Sequence, residues 1–214
     1  MNIVLIAPPA SGKGTQAQML KDKYNLYHLS TGDLLRNISK DRSELGIKIK
    51  NIIDEGKLID DDLMIEIVKE KIYSIKNNGI IFDGFPRTLN QAIKLDEMLK
   101  EINKKIDNVI VLEIDKEIAL KRSIGRVACS NCGNIYNIYF DDLKNPLKCN
   151  NCNNELIKRN DDTEEKFNLR FDSYVKNSKK LIEYYEKKNI VNFVSSLNDK
   201  ETVFAEIKNI INRG

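Results

Sequence analysis

A short glycine-bearing segment near the start of the chain contains the residue types that bind phosphate. The sequence MNIVLIAPPASGKGTQAQML runs from an apolar stretch through small residues into Gly12-Lys13-Gly14-Thr15 and then into helical spacing. Backbone N–H groups of such a loop can surround an anion, the helix N-terminus adds partial positive charge, and the lysine reaches the outer phosphates of a nucleotide. We therefore predict a phosphate-binding loop at residues 10–15.

The cysteines form a second group with recognisable spacing. All four lie within a short stretch, as Cys129-x₂-Cys132-x₁₆-Cys149-x₂-Cys152. This spacing is typical of a tetrahedral Cys₄ zinc site, and with all four positions filled by thiolates the metal is expected to be structural. Iron could occupy the same thiolates. A disulfide framework would spread the cysteines along the chain, whereas these four are clustered. This clustering favours a cytoplasmic protein.

Composition narrows the possible partners. The chain has 214 residues, with 35 basic and 32 acidic side chains and a net charge of +3. This balance argues against bulk nucleic-acid binding. No apolar run approaches the roughly 20 residues of a membrane span, and no basic segment followed by an apolar one opens the chain. We therefore expect neither a membrane nor a nucleic-acid partner.

Strands alternate with helices along the chain, which predicts an α/β fold with a parallel sheet flanked by helices in three layers. Strands are expected at 2–6, around His28, and at 79–82, 109–114 and 190–194. Helices are expected at 13–24, 45–53, 63–75, 89–104, 116–126, 163–188 and 201–211, and another at Ser30-Thr31 with a hydroxyl N-cap. Residues 127–160, Asn-rich with short β-like pieces at 135–136 and 138–140, interrupt this pattern and are expected to form an inserted subdomain.

Three motifs in this order identify a family resemblance. The segment GKGTQ at 12–16 is followed by LSTGDLLR at 29–36 and DGFPRT at 83–88. Together they resemble adenylate kinase, in its long form with a metal-binding lid, and the match extends over essentially the whole chain. The resemblance implies the reaction MgATP + AMP ⇌ 2 ADP. It also implies a P-loop core of residues 1–29, 60–126 and 161–214, a helical AMP-binding segment at 30–59 and a zinc-binding lid at 127–160.

The resemblance also assigns residues to each substrate. For ATP these are Ala10, Ser11, Gly12, Lys13, Gly14, Thr15, Arg122, Arg126, Ile135, Tyr136 and Asn198. For AMP they are Thr31, Arg36, Lys57, Leu58, Ile59, Gly84, Phe85, Pro86, Arg87, Gln91, Arg159 and Arg170. The catalytic set is Lys13, Asp83, Arg87, Arg122, Arg126, Arg159 and Arg170, with Asp83 a candidate for orienting waters on Mg²⁺.

Three family glycines are replaced in this chain, by Ala7, Ala10 and Ser196. The first two lie in or beside the phosphate loop, and Ser196 lies where a backbone usually meets the adenine of ATP. An alanine replaces a glycine without strain only where φ is negative. We therefore expect the dihedral angles of the loop to be affected, and its role to be kept.

The assigned residue types suit phosphoryl transfer, which needs in-line positioning and charge neutralisation more than covalent help. Two nucleotides bring roughly five to six negative charges together, which one lysine, six arginines and Mg²⁺ could offset. Gln91 can pair with an adenine edge, and the resemblance implies that Thr31, where the related pyrimidine kinases commonly have alanine, favours AMP over UMP or CMP. The single histidine, His28, is expected to have a core or hydrogen-bonding role. Closure of the lid and of residues 30–60 would exclude water.

Alternatives remain open from the sequence. The protein could be another nucleoside monophosphate kinase or a GTP:AMP phosphotransferase. It could also be a zinc-ribbon nucleic-acid binder with a nucleotide switch, although the basic residues at 144–159 are scattered among acidic ones. A P-loop GTPase is disfavoured because Asn198-Asp199-Lys200 is not a guanine-recognition motif. The favoured partners are ATP, AMP and ADP, and the expected state is a monomer.

Overall fold

The computed structural model describes residues 1–55, 59–76, 79–159 and 162–213. The strands are β1 (Ile3–Ile6), β2 (Tyr27–Ser30), β3 (Ile80–Asp83), β4 (Asn108–Glu113), β5 (Arg126–Cys129), β6 (Ile135–Asn137), β7 (Leu156–Lys158) and β8 (Val191–Ser195). The helices are α1 (Lys13–Tyr24), α2 (Thr31–Ile38), α3 (Glu44–Asp54), α4 (Asp61–Ser74), α5 (Leu89–Glu101), α6 (Lys116–Ile124), α7 (Glu164–Glu186) and α8 (Lys200–Ile211).

The central sheet is parallel and is covered on both faces. Its strand order is β2-β3-β1-β4-β8. Alternate residues of β1 face opposite sides, so Val4 and Ile6 pack in the cluster that includes α4, α5 and α7, whereas Ile3 and Leu5 pack with α1 and α8. Burial on both faces explains why the inner strands β3, β1 and β4 are mostly apolar. The α/β class with a flanked parallel sheet is confirmed.

A second, smaller sheet lies in sequence between α6 and α7. Its three antiparallel strands have the order β6-β5-β7. The buried cluster beneath it consists of Val127, Cys129, Cys149 and Leu156. Two of these four residues are cysteines, so apolar side chains alone provide little core for this unit.

Helix starts follow the local sequence, whereas several ends differ from expectation, and the helix predicted over 89–104 ends at Glu101. Ser30 caps α2 by accepting a hydrogen bond from the backbone N–H of Asp33, as predicted. The helix predicted over 116–126 ends at Ile124, because Arg126 already pairs with Asn137 in the small sheet. The β-like piece predicted at 138–140 is a turn, in which the side chain of Asn137 accepts from the N–H of Tyr139.

Within the described ranges, no helix combines the length and the apolar character that crossing a membrane requires.

Candidate active site

The phosphate loop joins the end of β1 to the start of α1. Gly12 is the residue before the helix and has a φ of 83°. Ala10 has a φ of 60°, so this alanine stands in a left-handed conformation that favours glycine and is strained for a residue with a Cβ. Among the described residues, the buried hydroxyl of Ser11 has no hydrogen-bond partner. The loop therefore offers an unused donor next to its backbone amides.

Asp83, the last residue of β3, is a carboxylate that pairs with the lysine of the loop. Its Oδ1 lies 2.7 Å from Nζ of Lys13, and its Oδ2 lies 3.0 Å from Nε2 of His28. Burial by itself would raise the pKa of Asp83, but the positive charge of Lys13 and the hydrogen bonds from both partners outweigh it. The pKa of this carboxyl is therefore held well below its ordinary value.

The residues assigned to the acceptor side surround the same strand end. The hydroxyl of Thr31, which is 1% exposed, donates to the backbone carbonyl of Asp83 at 3.2 Å. Gly84 has a φ of 86°, and a Cβ there would lie 2.6 Å from Oγ1 of Thr31. Only glycine fits this close approach without displacement. Nε of Arg87 donates to the carbonyl of Gly84 at 2.8 Å, which folds this arginine back over the turn.

The other acceptor-side residues fall into three groups. Phe85, Pro86 and Ile59 are buried in the structure. Arg36 donates from Nη2 to Oδ1 of Asp33 at 2.6 Å. The assigned positions Lys57 and Leu58 lie outside the described residues.

Gln91 lies at the start of α5 and is 3% exposed. Its Oε1 accepts from the backbone N–H of Arg87 at 2.8 Å, and its Nε2 donates to Oδ1 of Asp61 at 2.7 Å. The contact with Asp61, in the first turn of α4, joins positions 30 residues apart in the chain. Both ends of the amide are thus held by protein groups.

Arg122, near the end of α6, connects the large sheet to the small one. Its Nη1 donates to the carbonyl of Ser196 at 2.9 Å, just beyond β8. Its own carbonyl accepts from Nδ2 of Asn137, and its guanidinium lies 5.9 Å from the ring centroid of Phe140. Sequence reasoning assigned Arg122 but missed Phe140, since the ring reaches the arginine only through the turn at 138–140.

Asp162 is a fully buried carboxylate between α6, β5 and α7. It accepts from Nε of Arg126 at 2.8 Å and also from Nη2 of the same arginine. Nη2 of Arg170 lies 3.6 Å away, and the hydroxyl of Ser123 lies at 3.5 Å. Two arginines assigned to phosphate thus share one carboxylate, which sequence reasoning missed although it lies three residues after Arg159.

Five further assigned residues are half-buried or exposed. Arg159 is half-buried. Burial alone would raise the pKa of Asp33, but the hydrogen bonds with Ser30 and Arg36 and the charges of Arg36 and Arg159 together lower it. Gly14, Thr15, Ile135 and Asn198 are exposed. Asn198 lies in the turn between β8 and α8, two residues after Ser196.

The four cysteines converge as their spacing predicts. Their Sγ atoms all lie within 4.8 Å of one another. The closest pairs are Cys129 with Cys152 at 3.3 Å and Cys132 with Cys149 at 3.6 Å. A tetrahedral ion with metal–sulfur bonds of about 2.3 Å requires sulfur–sulfur distances of about 3.8 Å. The four thiols therefore form a possible metal site of suitable size.

The fold is a parallel sheet flanked by helices. After the first strand, Gly12 precedes Lys13, which is the first residue of the next helix. These features define a P-loop α/β protein. A sequence profile described as "Adenylate kinase" matches residues 5–190. The chain is 44% identical to an adenylate kinase of Archaeoglobus fulgidus and 42% identical to one of Clostridium botulinum, over 100% of this chain and 99% of each relative. It is 42% identical to an adenylate kinase of Thermosipho africanus over the full length of both chains. The chain belongs to the adenylate kinase family.

Proposed function

We propose that the protein transfers the γ-phosphoryl group of ATP to AMP, reversibly and with Mg²⁺, giving two molecules of ADP. Full-length similarity to enzymes named adenylate kinase supports this reaction. The observation that carries the proposal is that the phosphate loop and the start of α2 meet at Asp83. Its carboxylate pairs with Lys13 of the phosphate loop, and its backbone carbonyl accepts from Thr31 on the acceptor side.

In this reaction an oxygen of the AMP phosphate attacks the γ-phosphorus, and the bond from that phosphorus to the bridging oxygen of ATP breaks. The loop at Ala10–Thr15 and Lys13 bind the ATP phosphates, with Arg122, Arg126, Ile135, Tyr136 and Asn198 around the rest of ATP. Thr31, Arg36, the segment 57–59, Gly84–Arg87 and Gln91 bind AMP. Arg159 and Arg170 contact the phosphates of both, so that the cations neutralise charge in the transition state.

Mg²⁺ accompanies ATP in this proposal and neutralises charge on the phosphates when bound. The residues present fit it, because one carboxylate at the edge of a phosphate site suits an ion that keeps most of its waters. A Cβ at Gly14 would lie 3.8 Å from Oδ2 of Asp83, so this carboxylate lies beside the loop. Asp83 would accept hydrogen bonds from waters on the ion once Lys13 moves to phosphate.

We also propose that the four cysteines hold Zn²⁺ as a structural ion. Four thiolates at tetrahedral spacing suit zinc and leave no open position for chemistry. The apolar cluster of the small sheet is limited to a few residues, so metal binding would contribute folding free energy that the side chains do not supply. Elemental analysis of the purified protein distinguishes zinc from iron.

The order of the helices and strands along the chain supports a division into a core and two smaller parts. A core of residues 1–29, 60–126 and 161–214 would carry a lid of 127–160 and an AMP-binding segment of 30–59, both closing on substrate. Closure would bring Arg126, Arg159 and Arg170 onto phosphate. Small-angle scattering with a bisubstrate analogue tests this, and a radius of gyration unchanged by the analogue would contradict it.

The proposed setting is the cytoplasm, where a monomer acts on free nucleotides with no nucleic-acid or membrane partner. The near balance of 35 basic and 32 acidic residues supports the lack of a nucleic-acid partner. A coupled assay of ADP formation tests the function, with ATP and GTP as donors and AMP, UMP and CMP as acceptors. Turnover that depends on ATP and AMP supports the proposal, and turnover only with another pair would replace it.

A further inference from the structure

The amide of Gln91 is held by two partners that require opposite ends of it. Oε1 accepts from the N–H of Arg87, and Nε2 donates to the carboxylate of Asp61. Turning the amide over would bring its oxygen against the carboxylate and its NH₂ against an N–H donor. Both hydrogen bonds would then become repulsive contacts in a buried site. The two partners therefore fix a single orientation of the amide.

Asp61 is itself held between two helices. Its Oδ2 accepts from Oγ1 of Thr88 at 2.7 Å, and Thr88 caps α5 by accepting from the backbone N–H of Gln91. The side-chain cap of α4 is a different residue, Asp60, which accepts from the N–H groups of Asp62 and Leu63. The side chain of Asp61 is therefore available to orient Gln91 without also serving as the cap of its own helix.

The fixed amide has one N–H hydrogen and one oxygen lone pair left for a ligand. Adenine presents a donor at its 6-amino group beside a ring-nitrogen acceptor. Guanine and hypoxanthine present the reverse on their Watson–Crick edge, an acceptor at O6 beside a donor at N1. An amide held in one orientation can complement one of these patterns, whereas an amide free to turn can complement both.

We propose that Asp61 is a positioning residue that sets the acceptor base, by holding the Gln91 amide in the orientation that adenine requires. The inference rests on the proposed function, in which Gln91 meets the acceptor base. A site that hydrogen-bonds its substrate rejects an analogue with the reversed pattern, because buried polar groups are then left mismatched. Removing the charge of Asp61 should weaken that rejection.

The test compares AMP with inosine 5′-monophosphate (IMP), which differs from AMP at the N1–C6 edge. In Asp61→Asn, the new amide can present either its oxygen or its NH₂ to Gln91, so one of the two constraints is lost. We expect the ratio of kcat/KM for AMP to that for IMP to fall by about tenfold, the effect of one mismatched hydrogen bond. The change should lie mainly in the KM values of the acceptors, with the KM for ATP unchanged.

Asp62→Asn is the matched control, since it removes one carboxylate from an exposed position in the same first helical turn. Its acceptor ratio should equal that of the unmodified protein. Asp61→Ala, which offers Gln91 no new partner, should shift the ratio in the same direction as Asp61→Asn. An unchanged ratio in both Asp61 variants, or equal losses for AMP and IMP, would overturn the inference. Lack of AMP turnover by the unmodified protein would instead refute the proposed function.

Discussion

Lys13 and Asp83 form an ion pair across the site, with 2.7 Å between Nζ and Oδ1. The lysine is the first residue of α1, and the aspartate is the last of β3. A phosphate bound in the loop would compete with Asp83 for the lysine, because both are anions within its reach. In the proposed reaction the pair therefore exchanges partners, and the carboxylate becomes available to waters on Mg²⁺.

Replacing Lys13 with alanine should lower kcat/KM by about a thousandfold or more, since one fixed cation is lost from the transition state. The fold should remain, because the lysine is partly exposed and α1 keeps its buried residues Ala17 and Leu20. Steady-state kinetics and circular dichroism measure the two effects. Lys21→Ala, an exposed lysine on the same helix, is the control and should keep normal turnover. Near-normal turnover of Lys13→Ala would refute its assigned role.

The lowered pKa of Asp83 predicts a specific pH dependence of stability. A carboxyl whose pKa is lower in the folded state than its ordinary value of 3.8 stabilises the protein above that pH and loses this contribution as the pH falls further. Asp83→Asn should therefore lower the free energy of unfolding at pH 7 by about 3 kcal/mol, because it leaves Lys13 without its largely buried partner. The difference should shrink as the pH falls below 3.8, because the carboxyl of the unfolded chain is then protonated while that of the folded chain is still ionised, and it should be lost once the pH passes through the lowered pKa of the folded state. Urea titrations at several pH values measure it, and a difference independent of pH would contradict the assignment.

Asp162 should be important for stability because it compensates two arginines. Asp162→Asn removes the buried carboxylate that pairs with Arg126 and lies 3.6 Å from Nη2 of Arg170, and it should lower the free energy of unfolding by about 3 kcal/mol. Equilibrium urea unfolding measures this. Asp142→Asn, an exposed carboxylate in the 127–160 region, should change stability by less than about 0.5 kcal/mol. Equal losses in the two variants would show that the burial of Asp162 does not increase its contribution to stability.

Cys149→Ser should release the metal and destabilise the small sheet. Cys149 is 2% exposed and belongs to the buried cluster of that sheet, so the variant loses a ligand and a packing residue together. We expect a lower melting temperature and a metal content well below one ion per chain. Asn151→Ser, at an exposed position between two of the ligands, should keep the metal. A Cys149→Ser protein with full metal content and unchanged melting would contradict the zinc proposal.

Local motifs account for what the sequence could predict. The phosphate loop and the cysteine pairs consist of residues close together in the chain, so their spacing alone indicates what they do. The three inner strands of the parallel sheet, β3, β1 and β4, are mostly apolar because they are buried on both faces. Continuous apolar character was therefore sufficient to place β1, β3 and β4 to within a residue or two.

Partners distant in the chain could not be predicted in this way. His28 meets Asp83 across 55 positions, and Arg126 meets Asp162 across 36. Such pairs depend on how elements pack, and no single segment encodes them. The same reason explains the end of α6, where pairing of Arg126 with Asn137 overrides helical spacing. Asp61 was missed because its role depends on the packing of α4 against α5.

The most direct test of the account starts from ADP alone. Purified protein with Mg²⁺ and ADP, followed by phosphorus NMR, should produce ATP and AMP in equal amounts until equilibrium is reached. Lys13→Ala should leave the ADP unchanged over the same time. If the unmodified protein also leaves ADP unchanged, or forms phosphate without AMP and ATP in equal amounts, the central claim of phosphoryl transfer between two adenine nucleotides is wrong.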